Sequence, residues 1–192
     1  MNRLESLFSE IKRCIAERSP GDENRLVFGD GSPESRVVLI GEAPGEQEEK
    51  LGRPFVGKAG KTLDEFLSLS GVERRDLYIT NVVKLRPTGI SKAGRIVNRT
   101  PRIDEIRLFL PWLVRELDII APRIIVTLGN VPLQALTGEK MTIGSVHGTC
   151  LSLGDRPLYP LYHPASVIYN RSLSDIYRDD VMSLSKIMKE II

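Results

Sequence analysis

Apolar positions spaced three and four residues apart predict amphipathic helices along much of the chain. The first is marked by Leu4, Leu7, Ile11 and Ile15. Pro111 lies inside another such run, where it would kink or split the helix. The helices predicted in this way cover residues 4–17, 58–69, 103–117, 131–136 and 173–191.

Short apolar, β-branched runs between these helices predict strands over 36–40, 77–83, 123–128 and 158–162. Strands that alternate with helices favour a mostly parallel sheet covered on both faces. The segment 87–98 is polar, contains glycine and lacks periodicity, so it is predicted to be a loop. With 192 residues, the chain fits a single domain over 1–192.

Polar or turn-forming residues follow three of the predicted strands. Gly41–Gly45 follows the first strand, Asn81 ends the second, and His163 follows the fourth. Because ligands of parallel sheets bind at the carboxyl ends of the strands, we expect these residues to meet at one edge.

The overall composition is typical of a folded protein, and only one segment of the chain has an unusual charge. Hydrophobic residues make up 41% and charged residues 27%, with a net charge of +2. Between 84 and 107, however, seven basic residues face two acidic ones, either as a phosphate-binding surface or as a solvated loop and helix face. The basic residues are Lys84, Arg86, Lys92, Arg95, Arg99, Arg102 and Arg107.

The two cysteines, Cys14 and Cys150, form no CxxC pair and are too few for a disulfide framework. No apolar run reaches the length of about 18 residues that spans a bilayer. The start of the sequence lacks the apolar core of a secretory signal. We therefore expect a cytoplasmic protein with no membrane association.

Four side chains at the predicted edge are candidates for chemistry, and each also has a plain structural interpretation. Glu42 could position a water or be solvated, and Phe55 could stack on a base or anchor a loop. Asn81 could read a pyrimidine edge or cap the next loop. His163 could donate to an oxygen that gains negative charge, or be structural.

The order and spacing of these motifs resemble those of a family 4-type uracil-DNA glycosylase over nearly the whole chain. The resemblance is carried by GEAPGEQEEKLGRPFVGKAGKTLDEFL (41–67), YITNVVKLRP (78–87), NRTP (98–101), PRIIVTLGN (122–130) and YHPAS (162–166). It implies an α/β fold, a three-layer α/β/α sandwich around a central four-stranded, mostly parallel sheet. It also implies an enzyme that hydrolyses the N-glycosidic bond of uracil in DNA. We expect the protein to be a monomer.

The resemblance further implies roles for individual residues. Glu42 would place the attacking water, and Phe55 would stack on a flipped-out uracil. Asn81 would distinguish uracil from cytosine, and His163 would stabilise the uracil anion. Since Ala43 stands where another glycosylase family has a catalytic aspartate, the general base is not fixed. The turn residues lining the same pocket would be Gly41, Ala43 and Gly45.

Uracil-containing DNA is the partner that the resemblance implies. The stretch 167–171 would place an apolar wedge in the minor groove. The residues expected to contact DNA are Lys84, Arg86, Lys92, Arg95, Arg99, Ser166 and Arg171.

The chain departs from the family pattern in two places. Typical members carry a 4Fe–4S cluster on four cysteines, whereas the matching positions here are Cys14, Glu17, Leu85 and Phe109. We therefore expect no iron–sulfur cluster, no metal and no other cofactor. The loop 88–97 is longer than usual and lacks the histidine with which a related branch traps DNA, so we expect turnover.

Three other functions are also compatible with these residues. The same fold could act on another deaminated base, such as hypoxanthine or xanthine. The chain could also be a DNA-damage binding module without catalysis. A nucleotide-binding α/β domain is the more general alternative.

Overall fold

A computed structural model describes residues 2–191 and contains one six-stranded main sheet in this range. Its strands in chain order are β1 (Asp30–Gly31), β2 (Val37–Gly41), β3 (Tyr78–Asn81), β6 (Ile124–Leu128), β7 (Leu151–Leu153) and β8 (Arg156–Leu161). The spatial order is β1-β3-β2-β6-β8-β7. The four inner strands run parallel, and the two short outer strands pair antiparallel with their neighbours. The predicted four-stranded parallel core is confirmed, with an added strand at each edge.

The predicted helices form with shifts of a few residues at their ends. Pro111 does not split its helix, whose buried Phe109, Leu113 and Leu117 hold the chain against the sheet on either side of it. Three short helices, α2, α6 and α7, were not predicted, because four to six residues carry no readable periodicity. The α-helices are α1 (Arg3–Arg18), α2 (Glu46–Leu51), α3 (Lys58–Ser70), α4 (Ile103–Ile120), α5 (Asn130–Thr137), α6 (Ile143–Val146), α7 (Pro164–Tyr169) and α8 (Ser174–Ile191).

The inner strands bury both of their faces, which gives the fold two hydrophobic cores. Val38 and Ile40 of β2 join the core that holds the apolar residues of α1 and α4. Val37 and Leu39 alternate onto the opposite face and join those of α3 and α8. The predicted α/β/α sandwich is therefore confirmed. None of the helices within 2–191 is long and apolar enough to cross a membrane.

The segment expected to be a loop is instead an antiparallel hairpin separate from the main sheet. It consists of β4 (Thr88–Ile90) and β5 (Ile96–Asn98). Gly94, with a φ of 74°, closes the turn, and its amide donates to Ser91 O at 2.9 Å. Strands of three residues are too short for a readable alternation, so this element was missed.

Candidate active site

The carboxyl ends of the inner strands surround a cavity of about 440 Å³. The chain leaves β2 for β3 on one side, while β6 and β8 lie on the other side of β2. Such a reversal of strand order opens a crevice at the carboxyl edge. The predicted site residues that line this cavity are Ala43, Gly45, Phe55, Asn81 and His163.

Asn81 and Phe55 converge at Gly41, the last residue of β2. Asn81 is only 2% exposed and lies in register with Gly41 on the neighbouring strand. A Cβ atom built at Gly41 would collide with Asn81 Oδ1 and lie 2.6 Å from two ring carbons of Phe55. A side chain at position 41 would therefore fill the space between the amide and the ring.

The backbone of Phe55 is held in an unusual conformation, with a φ of 52°. Arg74 donates to the carbonyl oxygens of Phe55 at 3.0 Å and Pro54 at 2.6 Å. Gly60 lets the Phe55 carbonyl approach so closely that any Cβ atom there would overlap it. Non-glycine residues occupy this φ region only when surrounding contacts enforce it, so the ring is placed by a constrained loop.

Glu48 joins the two ends of that loop. Its carboxylate accepts hydrogen bonds from the amides of Gly45 at 3.1 Å, Val56 at 3.0 Å and Gly57 at 2.7 Å. Neither Glu48 nor Arg74 was predicted from the sequence as a site residue. For Glu48 a signal existed, because a glutamate three residues after a helix N-cap commonly returns to the cap amide.

His163 is the N-cap of α7, and its Nδ1 accepts from the Ala165 amide at 3.1 Å. An amide can only donate, so the proton of the neutral ring lies on Nε2. Burial lowers the pKa of His163 to about 4, although the nearby Glu48 carboxylate acts in the opposite direction. The ring centroid lies 5.9 Å from that of Phe55. At neutral pH, His163 is an uncharged Nε2–H donor beside the cavity.

Glu42 does not line the main cavity but lines two smaller clefts next to it, and His163 borders all three. Burial raises the pKa of Glu42, and a hydrogen bond with the Thr100 side chain partly offsets this. Its backbone carbonyl accepts from the Val83 amide at 3.1 Å, which fixes the turn after β2. Glu42 and His163 thus line the same small clefts, either of which could hold a water.

The expectation that Lys84 contacts DNA is wrong. Lys84 is completely buried, and its Nζ atom donates to Glu116 Oε2 at 2.6 Å, Thr80 Oγ1 at 2.6 Å and the Asn81 carbonyl at 2.9 Å. All three of its donors are satisfied inside the protein, so none can reach a phosphate.

The other basic residues expected to contact DNA differ in whether they already pair with acidic side chains of the protein. Arg86 is mostly buried against Glu49 and Asn98, and Arg99 pairs with Glu105 at 2.6 Å. In contrast, Lys92 and Arg95 are exposed at the tip of the β4–β5 hairpin.

The expected wedge is only partly exposed. Val167 belongs to the core, whereas Ile168 and Tyr169 line the cavity rim, with Tyr169 90% exposed. Ser166 is half-buried in the small cleft beside Glu42, and Arg171 is exposed beyond the helix.

Comparison with known proteins identifies the family of this site. The family model of the uracil DNA glycosylase superfamily matches residues 28–185. The chain belongs to this superfamily. It is 37% identical to a type-4 uracil-DNA glycosylase of Thermotoga maritima, over 97% of this chain and 95% of the relative. It is also 37% identical to the type-4 uracil-DNA glycosylase of Sulfurisphaera tokodaii, over 97% and 86%. The resemblance to the family 4 type is thereby confirmed.

A solved structure supports the same fold. The crystal structure of Pedobacter heparinus SMUG2 matches with a TM-score of 0.57 at 16% identity, covering 82% of this chain and 77% of that chain. At this identity the match speaks for the fold alone.

Family membership contradicts the expectation of no cofactor, because type-4 uracil-DNA glycosylases carry an iron–sulfur cluster. A cubane cluster needs four thiolates. The chain offers two cysteines, Cys14 half-buried and Cys150 exposed. Among residues 2–191, no three cysteine, histidine or acidic side chains come together to hold a metal. Leu85 and Phe109 pack in one hydrophobic core. The residues present do not fit that ligand set.

Proposed function

We propose that this protein is a DNA repair enzyme that hydrolyses the N-glycosidic bond of uracil in DNA, releasing free uracil and leaving an abasic site. The observation that carries the proposal is the convergence of the Asn81 amide, the Phe55 ring and the neutral His163 on one cavity. Type-4 uracil-DNA glycosylases are its relatives over almost the full chain.

In this proposal the target nucleotide leaves the base stack and its uracil enters the cavity. Extruding a base costs a few kcal/mol, and base–aromatic stacking is worth about 1–3 kcal/mol. Phe55 supplies that stacking surface. Asn81 offers one acceptor and one donor to the N3–H and O4 of uracil, whereas cytosine presents the opposite pattern. An amide held in one orientation therefore selects uracil.

His163 acts when the bond between C1′ and N1 breaks. The bonding electrons move into the base, and negative charge develops on its O2 oxygen. The Nε2–H of His163 donates to this oxygen and stabilises the leaving anion. Because the pKa of the ring is low, it performs this role as a neutral donor that keeps its proton.

Glu42 positions the water that attacks C1′ from the adjacent cleft. The water oxygen bonds to C1′ as the C1′–N1 bond breaks, one water proton passes through the carboxylate to solvent, and the released uracil anion takes up a proton from solvent. The raised pKa of Glu42 makes it a better proton acceptor than an exposed glutamate. Ala43 and Gly45 of the turn line the same cleft, and Gly41 leaves the space between Asn81 and Phe55 free of a side chain.

DNA contacts are proposed for residues around the cavity whose side chains remain accessible. Cations bind phosphates and release counterions, which makes binding salt-dependent. Arg86 and Arg99 would contribute only in part, because acidic partners already hold them. The remaining proposed contacts are Lys92, Arg95, Ser166 and Arg171.

We further propose that residues 1–192 act as a single domain, as a monomer and in the cytoplasm. Two free cysteines, Cys14 and Cys150, are consistent with a reducing compartment. Size-exclusion chromatography with light scattering tests the monomer.

The direct test of the activity uses the purified protein with a labelled oligonucleotide that carries one uracil. Alkali then cleaves any abasic site, and a gel separates the product. Cleavage of the uracil strand, with no cleavage of a thymine strand, is the expected result. Cleavage of the hypoxanthine strand alone would show that the substrate is another base than uracil. Binding without cleavage of any strand would show that the protein is a damage-binding module.

A further inference from the structure

The β4–β5 hairpin is built as a rigid, anchored arm rather than a loose loop. Its turn is closed by bonds from the Ser91 amide to Arg95 O at 2.8 Å and from the Arg95 amide to Ser91 Oγ at 3.1 Å. At its base, Arg99 donates to Thr88 O at 2.9 Å and pairs with Glu105 of α4. The hairpin is therefore fixed to the body of the protein before any partner binds.

The hairpin exposes large apolar side chains. Ile90 and Ile96 are 81% and 69% exposed and face each other in the antiparallel register. A two-stranded hairpin alone is at best marginally stable in water. Exposed isoleucines contribute nothing to the core, whereas clustered exposed apolar residues often mark interaction surfaces.

This apolar pair lies on the face of the hairpin that continues the lining of the cavity. In an antiparallel pair, opposite residues share a face and every second residue returns to it. Ile90 and Ile96 therefore share their face with the pair Thr88 and Asn98. Asn98 lines both the main cavity and the neighbouring cleft. The isoleucines lie about 7 Å further along the strands than this pair.

The charge of the hairpin indicates which partner it binds. No acidic residue lies between 87 and 103, and the exposed tip carries Lys92 and Arg95. Neither cation forms an ion pair within residues 2–191. Apolar side chains flanked by unpaired cations match a nucleic-acid groove, in which bases and sugars lie between two lines of phosphates.

We infer that the β4–β5 hairpin is a second DNA-binding arm, in which Ile90 and Ile96 pack into the groove of the duplex beside the extruded nucleotide while Lys92 and Arg95 hold phosphates. Asn98 at the base of this arm lines the cavity together with Ile168 and Tyr169, so duplex DNA over the open site would contact both the hairpin and α7. This inference rests on the proposed glycosylase function for its choice of substrate.

Two double variants separate the apolar and the charged contributions. Ile90→Ser/Ile96→Ser is expected to weaken binding to a uracil-containing duplex about tenfold, with the salt dependence unchanged, because only apolar contacts are lost. Lys92→Ala/Arg95→Ala is expected to lower the slope of log K against log salt by about 1.8, or about 0.9 for each phosphate contact. Fluorescence anisotropy with a labelled duplex measures both.

Matched controls carry equal changes on remote surfaces. Lys186→Ala/Lys189→Ala lies toward the far end of α8, and Leu69→Ser/Val114→Ser removes two other exposed apolar side chains. All variants should keep the wild-type Tm, and inhibition by free uracil, which occupies the cavity alone, should not change.

Wild-type duplex affinity in Ile90→Ser/Ile96→Ser, or an equal loss in the apolar control, would overturn the inference. A wild-type protein that binds the duplex but releases no uracil would instead refute the proposed function. The anisotropy comparison would still decide the role of the hairpin in that case.

Discussion

The buried pair between Lys84 and Glu116 allows a quantitative test of the fold beneath the site. The two side chains are 0% and 1% exposed, and they connect the end of β3 to α4. Glu116 also accepts from Tyr78 Oη at 2.6 Å and from Thr80 Oγ1 at 3.2 Å. We consider the variant Glu116→Ala, which removes the carboxylate and leaves the Lys84 ammonium in the core.

Breaking one side of a buried ion pair costs about 3–5 kcal/mol, because the remaining charge has lost both water and its partner. For a domain of this size, each kcal/mol lowers Tm by about 2–4 °C. We therefore expect Glu116→Ala to lower Tm by about 6–20 °C. Circular dichroism during thermal and urea unfolding measures the change.

The matched control is Glu10→Ala, which removes a carboxylate from the surface pair with Arg115. Exposed pairs contribute about 0–1 kcal/mol, so its Tm should hardly change. The double variant Lys84→Met/Glu116→Leu should recover most of the lost stability, since apolar side chains of similar volume replace both charges. A Glu116→Ala variant as stable as Glu10→Ala would refute the reasoning.

Three further predictions concern the site itself. Gly41→Ala should abolish uracil release, because its methyl group would fill the space between Asn81 and Phe55. The control Gly144→Ala should stay active, since its methyl group meets only the Tyr162 hydroxyl at 3.5 Å. Equal activity of the two variants in the gel assay would contradict the cavity geometry. Glu48→Ala should lower kcat and Tm together, because three amides lose their acceptor at a cost of about 1–3 kcal/mol for each buried donor; a wild-type kcat would show that the loop needs no such clasp. If ionised Glu42 is required, kcat/KM should fall as pH drops through a pKa above the usual 4.5, and Glu42→Gln should remove this limb from the pH profile. A limb near 6.5 that persists in Glu42→Gln would contradict the neutral state of His163.

The convergence of the site residues could be predicted because it follows from topology. Gly41, Asn81 and His163 end or follow parallel strands, and such ends meet at one edge whatever the helices do. The flat ring of Phe55 was expected at the site from the family motif. The means by which it is held there were not expected. Arg74 donates to carbonyl oxygens 19 and 20 residues away, and the capping signal of Glu48 does not extend to the amides of Val56 and Gly57.

Lys84 shows where reasoning from local sequence fails. It lies in a basic segment, and its neighbours gave no sign that it points inward. Its partner Glu116 is 32 residues away on another element, and only the packing of α4 on the sheet brings the two together. Likewise, the charge of Arg99 suggested phosphate binding, yet Glu105 already holds it at the base of the hairpin. A cluster of basic residues in the sequence predicts a basic surface only where no acidic partner from a distant part of the chain pairs with those residues.

The most direct test of the central claim is single-turnover release of uracil from duplex DNA by His163→Ala. With the Tm and the inhibition by free uracil checked against the wild type, the rate of bond cleavage should fall about 10²–10³-fold, as when one donor to a developing oxyanion is removed. Such a loss would show that the neutral ring stabilises the departing base. An unchanged cleavage rate would contradict the account, because the cavity would then release uracil without the donor on which the proposed mechanism depends.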